Sequence, residues 1–216
     1  MFLQPMNREN QPMFSAFVWL ARRLMGTFRR IRRCLRVWYR FVFLVEAKGT
    51  LGSFSCKRGL RLQVPVRVGD GKGHLTIGEN VTLGFSNAPM LGNGTILLEP
   101  RSPIACIEIG DGTYMSNNVS IVAMQSIKIG ERCLIGDMSH IFDCDFHDTD
   151  PFKRHLPGPI ESVAIGDGVW LGSRVTVLRG VTIGDNSVIG TGSIVTRSIS
   201  SNVVAAGIPC RELFKI

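Results

Sequence analysis

A chain of 216 residues and 23.8 kDa with 44% hydrophobic residues holds one ordinary domain and an appendage, which excludes a disulfide-stapled mini-protein and argues against two large catalytic domains. The formal charge of +8 is not spread evenly: residues 1–48 hold ten Lys/Arg and two Glu, a net of +8, while residues 49–216 hold fifteen of each sign and net to zero. The body therefore has no field to gather nucleic acid. The six Cys, at 34, 56, 106, 133, 144 and 210, form no CxxC pair, so free thiols in a reducing compartment are expected.

The first predicted element is a basic amphipathic helical arm, assigned to residues 1–48. From Met13 to Glu46 the run MFSAFVWLARRLMGTFRRIRRCLRVWYRFVFLVE holds eight Arg and few breakers. Phe17, Leu20, Leu24, Phe28, Ile31 and Leu35 recur at three- and four-residue intervals, and Arg22, Arg29, Arg33, Arg36 and Arg40 take other angular positions, as an amphipathic helix requires. Gly26 weakens its middle. Two readings stay open. One is peripheral membrane contact through residues 13–45, with anionic headgroups attracting Arg while the apolar face, Trp19, Trp38 and Tyr39 insert. The other is packing on the body or a neighbouring subunit. No apolar stretch approaches the ~18 residues of a spanning helix, and the start lacks the order of a secretory signal. The expected location is cytoplasmic, at most peripheral on the inner face of the cell membrane.

Residues 49–216 form the second predicted unit. Ile77 and Leu83 are six apart, as are Ile109, Met115 and Ile121; the count slips by two through Val122 to Lys128 and resumes at Ile129, Ile135 and Ile141. It then runs unbroken through Ile165, Leu171, Val177, Ile183, Ile189 and Val195. A period of six matches neither an amphipathic helix nor a hairpin alternation. It fits a left-handed parallel β-helix, whose short strands point one aliphatic residue inward from each flat face while Gly or a small polar residue serves the corners. Gly, at 24 residues, is enriched as such corners demand.

Two segments break the pattern. Phe85 to Ala105, with Asn87, Pro89, Gly92, Asn93, Gly94, Pro100 and Pro103, reads as a second wall, an edge excursion or surface filler. The stretch 143–162, DCDFHDTDPFKRHLPGPIES, reads as a polar loop projecting from a stiff scaffold, a usual way to present chemistry.

The segment VAIGDGVWLGSRVTVLRGVTIGDNSVIGTGSIVTRSISSNVVAAGIPCREL from Val163, with its closing Ala-Gly-x-Pro, resembles the hexapeptide-repeat acyltransferases, in particular the sugar, maltose and galactoside O-acetyltransferase branch. The resemblance covers roughly residues 65–212. It implies a homotrimer with acetyl-CoA in grooves between coils, catalysis shared across subunits, and a sugar or lipid-linked glycan as acceptor.

His147, in DFHDTDP, aligns with the family's catalytic His and is expected to be the general base of direct acetyl transfer to a hydroxyl. Asp145 and Asp148 flank it and could orient the ring or contact sugar hydroxyls. Asp143 and Asp150 could do so at longer reach, with turn capping the alternative for all four. Glu161 is a further acidic candidate for orienting the ring. Asn117 and Asn118 resemble the family's acceptor-facing segment, yet Asn is also a common corner residue. The acidic position expected soon afterwards is absent from VAMQS (122–126).

The resemblance implies coenzyme contacts at Trp170, Gly172, Ser173, Gly190, Thr191 and Gly192, and phosphate contacts at Arg197 and Arg211. His140 and His155 bracket His147, but their spacing does not match the zinc-binding relatives of this fold, and no metal is expected. Transfer to an amino-sugar nitrogen and a non-catalytic β-helix scaffold are the alternatives.

Overall fold

The structure, a computed structural model, describes residues 31, 33–85 and 94–216. The arm's pattern from Phe17 to Arg29, with Trp19, Arg22 and Gly26, lies outside the described residues, as do Asn87, Pro89, Gly92 and Asn93. The chain divides into two compact units, Met1–Trp38 and Tyr39–Ile216. In the first, residues 31 and 33–38 are helical and exposed. No helix among the described residues is long and apolar enough to cross a membrane.

The second unit opens on helical residues 39–50. Phe43 and Ala47, one turn apart, are buried in the core, while Tyr39 and Leu44 pack against it. Phe43 meets Phe54 edge-on, with ring centroids 5.6 Å apart. On the outer side Glu46 accepts from Arg67 Nε at 2.9 Å.

Strands then follow in threes, one per face of a triangular coil. The first face is β1 (Ser53–Cys56), β4 (His74–Ile77), β7 (Cys106–Ile109), β10 (Ser126–Ile129), β13 (Val163–Ile165) and β16 (Thr182–Ile183), paired in that order. The second face runs β2 (Arg61–Leu62), β5 (Thr82–Leu83), β8 (Tyr114–Met115), β11 (Leu134–Ile135), β14 (Trp170–Leu171), β17 (Val188–Ile189) and β19 (Val203–Gly207), with β20 (Cys210–Lys215) turning back antiparallel to close the sheet. The third is β3 (Val66–Val68), β6 (Ile96–Pro100), β9 (Ser120–Ala123), β12 (His140–Phe142), β15 (Thr176–Val177) and β18 (Ile194–Val195). All pairings but the last hairpin are parallel and each joins one coil to the next, which is the left-handed β-helix read from the repeat.

The six-residue positions are its core. Ile109, Ile129, Ile165 and Ile183 stack in register on the first face. Met115, Ile135, Leu171 and Ile189 do so on the second, and Ile121, Ile141, Val177 and Val195 on the third. All twelve are buried. Inward stacking of like aliphatic side chains removes apolar surface from water on every coil, at about 25 cal/mol per Å². Corners turn through left-handed backbone at Asn80, Asn118, Asn186 and Asn202 among others, a conformation Asn tolerates better than most residues.

The two irregular segments resolve differently. Ile96–Pro100 is a full strand of the third face, in register with β3 and β9, and its inward Ile96 and Leu98 are buried. The excursion is therefore narrower than Phe85 to Ala105, because the alternation in ILLEP suits a half-buried strand. The two-residue slip is a turn at Met124 and Gln125. The buried Asp143 carboxylate accepts the amides of Met124, Gln125 and Ser126 at 2.7, 2.8 and 2.8 Å, so of its two readings the capping role is the one formed.

Candidate active site

The loop 143–162 leaves the third face after β12 and returns to the first at β13. Its arms meet at an antiparallel bridge between Cys144 and Ile160. Asp145 N donates to Pro159 O at 3.0 Å and Gly158 N to Asp145 O at 2.8 Å. A Cβ on Gly158 would stand 2.7 Å from His147 O, so glycine is what lets the arms close. Further out, Asp148 N donates to Leu156 O, the Asp148 carboxylate accepts Asp150 N at 2.8 Å, and Asp150 accepts Phe152 N at 3.0 Å. These short-range bonds turn the tip without an apolar anchor.

His147 is exposed on this loop. Its Nδ1 lies 2.7 Å from the carbonyl oxygen of Arg154. A carbonyl only accepts, so Nδ1 carries the proton and Nε2 of the neutral ring is left with its lone pair outward. That is the arrangement a general base needs. Phe146, next to it, meets Phe142 edge-on at 5.3 Å, and the Arg101 guanidinium lies 4.9 Å above its ring. Phe142 in turn stacks on His140 at 5.8 Å. Arg101 is paired with Glu99 at 2.8 Å, and that hydrogen bond raises its already high pKa.

The acidic candidates divide by partner. Asp145 bonds Arg179 Nε at 2.9 Å rather than the imidazole, and Glu161 bonds Arg179 Nη1. Asp143 serves the turn described above. Cys144, buried beside Asp143, has its thiol pushed up to about 11, first by burial and then by that carboxylate, which makes it a poor nucleophile. Among the described residues no three His, Cys, Asp or Glu form a metal-holding group. Of the other two His, His155 is exposed on the loop, and His74 bonds Ser53 Oγ at 2.8 Å on the first face, three strands from β13.

The other named residues, Arg197 excepted, stand at a different corner, between the second and third faces; Arg197, between β18 and the Ile199 bridge to Ile183, lies at the third-to-first corner that also carries the loop. Asn117 is buried and commits both ends of its amide to Phe85: Oδ1 accepts Phe85 N at 2.7 Å and Nδ2 donates to Phe85 O at 3.1 Å. Asn118 accepts from Gly94 N at 2.9 Å and donates to Asp137 at 3.1 Å. Gly172, Ser173, Gly190, Thr191 and Gly192 lie along the same edge on later coils. The amides of Gly172, Gly190 and Gly192 donate to Ile189, Ala205 and Ser173 carbonyls at 2.8, 2.8 and 2.9 Å. A Cβ on Gly172 would reach within 2.7 Å of Thr191 N, so that glycine is required by the next coil. Arg197 is exposed after β18, and Arg211 Nη1 donates to Cys210 O at 2.7 Å. Within one chain the third face separates this edge from His147.

Trp170 projects from the second face and is 52% exposed, beside Leu134 at 50%. Register continues the stripe from Tyr114 through Leu134, Trp170, Val188 and Val204 to Phe214. The periodicity that located the core did not single out this outer column. Arg179 was also missed: nothing in LRG distinguishes it from any other corner until its two carboxylate partners are seen.

Residues 162–197 match the family described as bacterial transferase hexapeptide (six repeats). The chain is 41% identical over 110 residues to the galactoside O-acetyltransferase of Escherichia coli (strain K12), covering 51% of this chain and 54% of that protein. It is 32% identical over 153 residues to the putative lipopolysaccharide biosynthesis O-acetyl transferase WbbJ of the same organism, covering 66% of this chain and 72% of that one. The chain thus spans about half the length of the first relative. A solved galactoside acetyltransferase in complex with coenzyme A superimposes with a TM-score of 0.54 at 32% identity, over 76% of this chain and 66% of that one.

Proposed function

Because this chain belongs to the hexapeptide-repeat acyltransferase family, we propose that it moves acetyl from acetyl-CoA to a hydroxyl of a sugar or polysaccharide precursor, with His147 as general base. The observation that carries the reading is the 2.7 Å bond from Nδ1 to the Arg154 carbonyl. With that proton fixed, Nε2 takes the acceptor hydroxyl proton as the oxygen bonds to the thioester carbonyl carbon. The C–S bond then breaks, and the imidazolium hands the proton to the departing thiolate. A backbone amide or small polar group supports the tetrahedral oxyanion. No covalent enzyme intermediate is needed. The names of the two curated relatives support a sugar hydroxyl as acceptor.

The working unit is a homotrimer. Its support is the exposed apolar column through Leu134, Trp170 and Phe214, which a second copy would cover. The same packing would bring the coenzyme edge of one subunit, with Trp170, Gly172, Ser173, Gly190, Thr191, Gly192 and Arg211, beside the His147 loop of another, where that other subunit's Arg197, on the loop's own corner, would meet the coenzyme phosphate. Asp145 and Asp148 would then meet acceptor hydroxyls from the base's own loop, and Asn118 from the far corner, whereas Asn117, buried with both ends of its amide on Phe85, holds that corner in shape instead of meeting the acceptor. The Arg-rich segment ahead of Tyr39, with exposed Ile31, Leu35 and Val37, favours peripheral contact with an anionic membrane and hence a lipid-linked glycan, whereas Tyr39, Phe43 and Leu44 pack on the body. Sedimentation of the full chain with vesicles containing anionic lipid, but not with neutral ones, is the expected result.

The decisive measurement is acetyl-CoA binding to the full-length protein, followed by thioester loss with a panel of free and lipid-linked sugars, amino sugars included. Saturable binding and a hydroxyl acceptor that accelerates turnover are expected. His147→Ala should keep coenzyme affinity and lose about 10²–10⁴-fold in transfer. A folded trimer that does not bind acetyl-CoA, or unchanged transfer after His147→Ala, would overturn the reading.

A further inference from the structure

We propose that Arg179 is a positioning residue of the transfer reaction, gripping the outgoing and returning arms of the 143–162 loop so that the His147 ring keeps its proton on Nδ1. The inference rests on the general-base reading above.

Apart from Phe146, whose ring sits against Phe142 and under the Arg101 guanidinium on the outgoing arm, the loop has little else to seat it, and nothing of the kind holds the returning arm. Between Asp145 and Glu161 its backbone bonds run mostly within the loop itself, from Asp145 to Pro159, Asp148 to Leu156, and His147 Nδ1 to Arg154. Phe152, Leu156 and Ile160 are exposed, so no inward aliphatic anchors this stretch as one does on each face of the coil. The bond that fixes the imidazole joins opposite arms: His147 is on the way out and Arg154 on the way back. Any splaying of the arms therefore removes the carbonyl from Nδ1.

Arg179 opposes that splaying from the next coil. It follows β15 at the corner where the third face passes to the first. Its neighbours there are held by Leu178 N donating to Val195 O at 3.1 Å and Gly180 N to Glu161 O at 2.9 Å. Gly180 turns this corner with φ of +72°, a backbone conformation that side-chain-bearing residues rarely adopt, and Glu161 lies directly over it. From this seat Nε donates to Asp145 Oδ2 at 2.9 Å, two residues before the base, and Nη1 donates to Glu161. The side chain is partly shielded, at 28% exposure. A planar guanidinium addresses two carboxylates in fixed directions, which the point charge of Lys does not.

The test uses full-length Arg179→Met, which keeps much of the aliphatic stem, and Arg179→Lys. The 15N shifts of the His147 imidazole report its neutral tautomer without any turnover. Wild type is expected as the Nδ1–H form. Arg179→Met should mix the two tautomers, lower kcat by about 10²-fold, as misplacement of a reacting group by ~1 Å does, and leave the KM for acetyl-CoA within twofold. Arg179→Lys should recover only part of kcat. An unchanged Nδ1–H tautomer with kcat within twofold of wild type overturns the proposal. So does a raised KM for acetyl-CoA with kcat unchanged, which would make Arg179 a coenzyme contact. If Arg179→Met does not fold, the isosteric pair Asp145→Asn and Glu161→Gln, combined, is read by the His147 tautomer alone, since Asp145 is also placed at the acceptor; mixed tautomers are expected and an unchanged Nδ1–H form overturns the proposal. Absence of transfer by wild type would sink the base role alone, since the tautomer still reports whether Arg179 governs the ring.

Discussion

The coil from Val163 to Val195 and the loop from Asp143 to Ser162 are adjacent in sequence and held by different forces. In the coil each face contributes a buried aliphatic to a column shared with its neighbours, so position is fixed many times over by burial. In the loop the fixing contacts are mostly directional and few: the Asp143 carboxylate at the base, the arm-to-arm bonds, Phe146 against Phe142 and Arg101, and Arg179 across Asp145 and Glu161. The difference assigns stability to the coil, and on the proposed function it leaves the chemistry to the loop. A scaffold that does not depend on its loop leaves the loop free to be built around one imidazole.

The largest expected stability effect lies in the coil. Ile183→Ala, in the first-face column with Ile165, should cost about 2–5 kcal/mol, the range for truncating a buried Ile, read as a drop in the urea midpoint. A cost under about 1 kcal/mol would mean the coils can collapse around the lost volume, and the contrast with the loop would weaken. Next comes the junction. Asp143→Asn keeps the shape but turns an amide toward donors among Met124, Gln125 and Ser126. Leaving buried N–H groups unmatched should cost about 1–3 kcal/mol, measured in the same way. Transfer activity should fall as well, since the loop base moves with the turn.

The same division explains what could be read in the amino-acid sequence. Ile165, Leu171, Val177, Ile183, Ile189 and Val195 repeat because burial selects one class of side chain at each inward position, and such a rule leaves a written period. The partnering of Asp143 with residues 124–126, or of Arg179 with Asp145 and Glu161, follows no period. It depends on which corners the coil stacks together, and that becomes visible only once the register is known. His147 is proposed as the base on the resemblance of its surrounding motif, whereas its bond to the Arg154 carbonyl had no signature in the sequence. Ile96–Pro100 was hidden by two Gly, three Pro and two Asn scattered from Phe85 to Ala105, although the alternation of Ile96, Leu98 and Pro100 was present.

A smaller effect concerns pH. Burial raises the Cys144 thiol from 9.0 to about 11, and burial likewise raises Cys133 and Cys210. The folded chain therefore holds these protons more tightly than the unfolded chain does. Their contribution to stability is intact below pH 9 and declines as pH climbs toward 11 for Cys144, because the unfolded thiol ionises first. Urea midpoints at pH 8 and 10.5 should show the decline, and Cys144→Ala should flatten part of it. An identical slope in the variant would mean that Cys144 is not the group responsible.

The smallest expected effect tests the loop tip. Phe152 is 89% exposed, and its amide is held through the Asp150 carboxylate rather than through its ring. Phe152→Ser should therefore shift stability by no more than about 0.5 kcal/mol, the opposite extreme from Ile183→Ala. An aromatic ring left open at the end of the loop that carries His147 is suited to stacking on an acceptor. The same variant should accordingly raise the KM for the acceptor while leaving kcat and the KM for acetyl-CoA in place. If it lowers the melting temperature by several degrees instead, the ring is covered in the assembled protein, and the loop is held by burial after all.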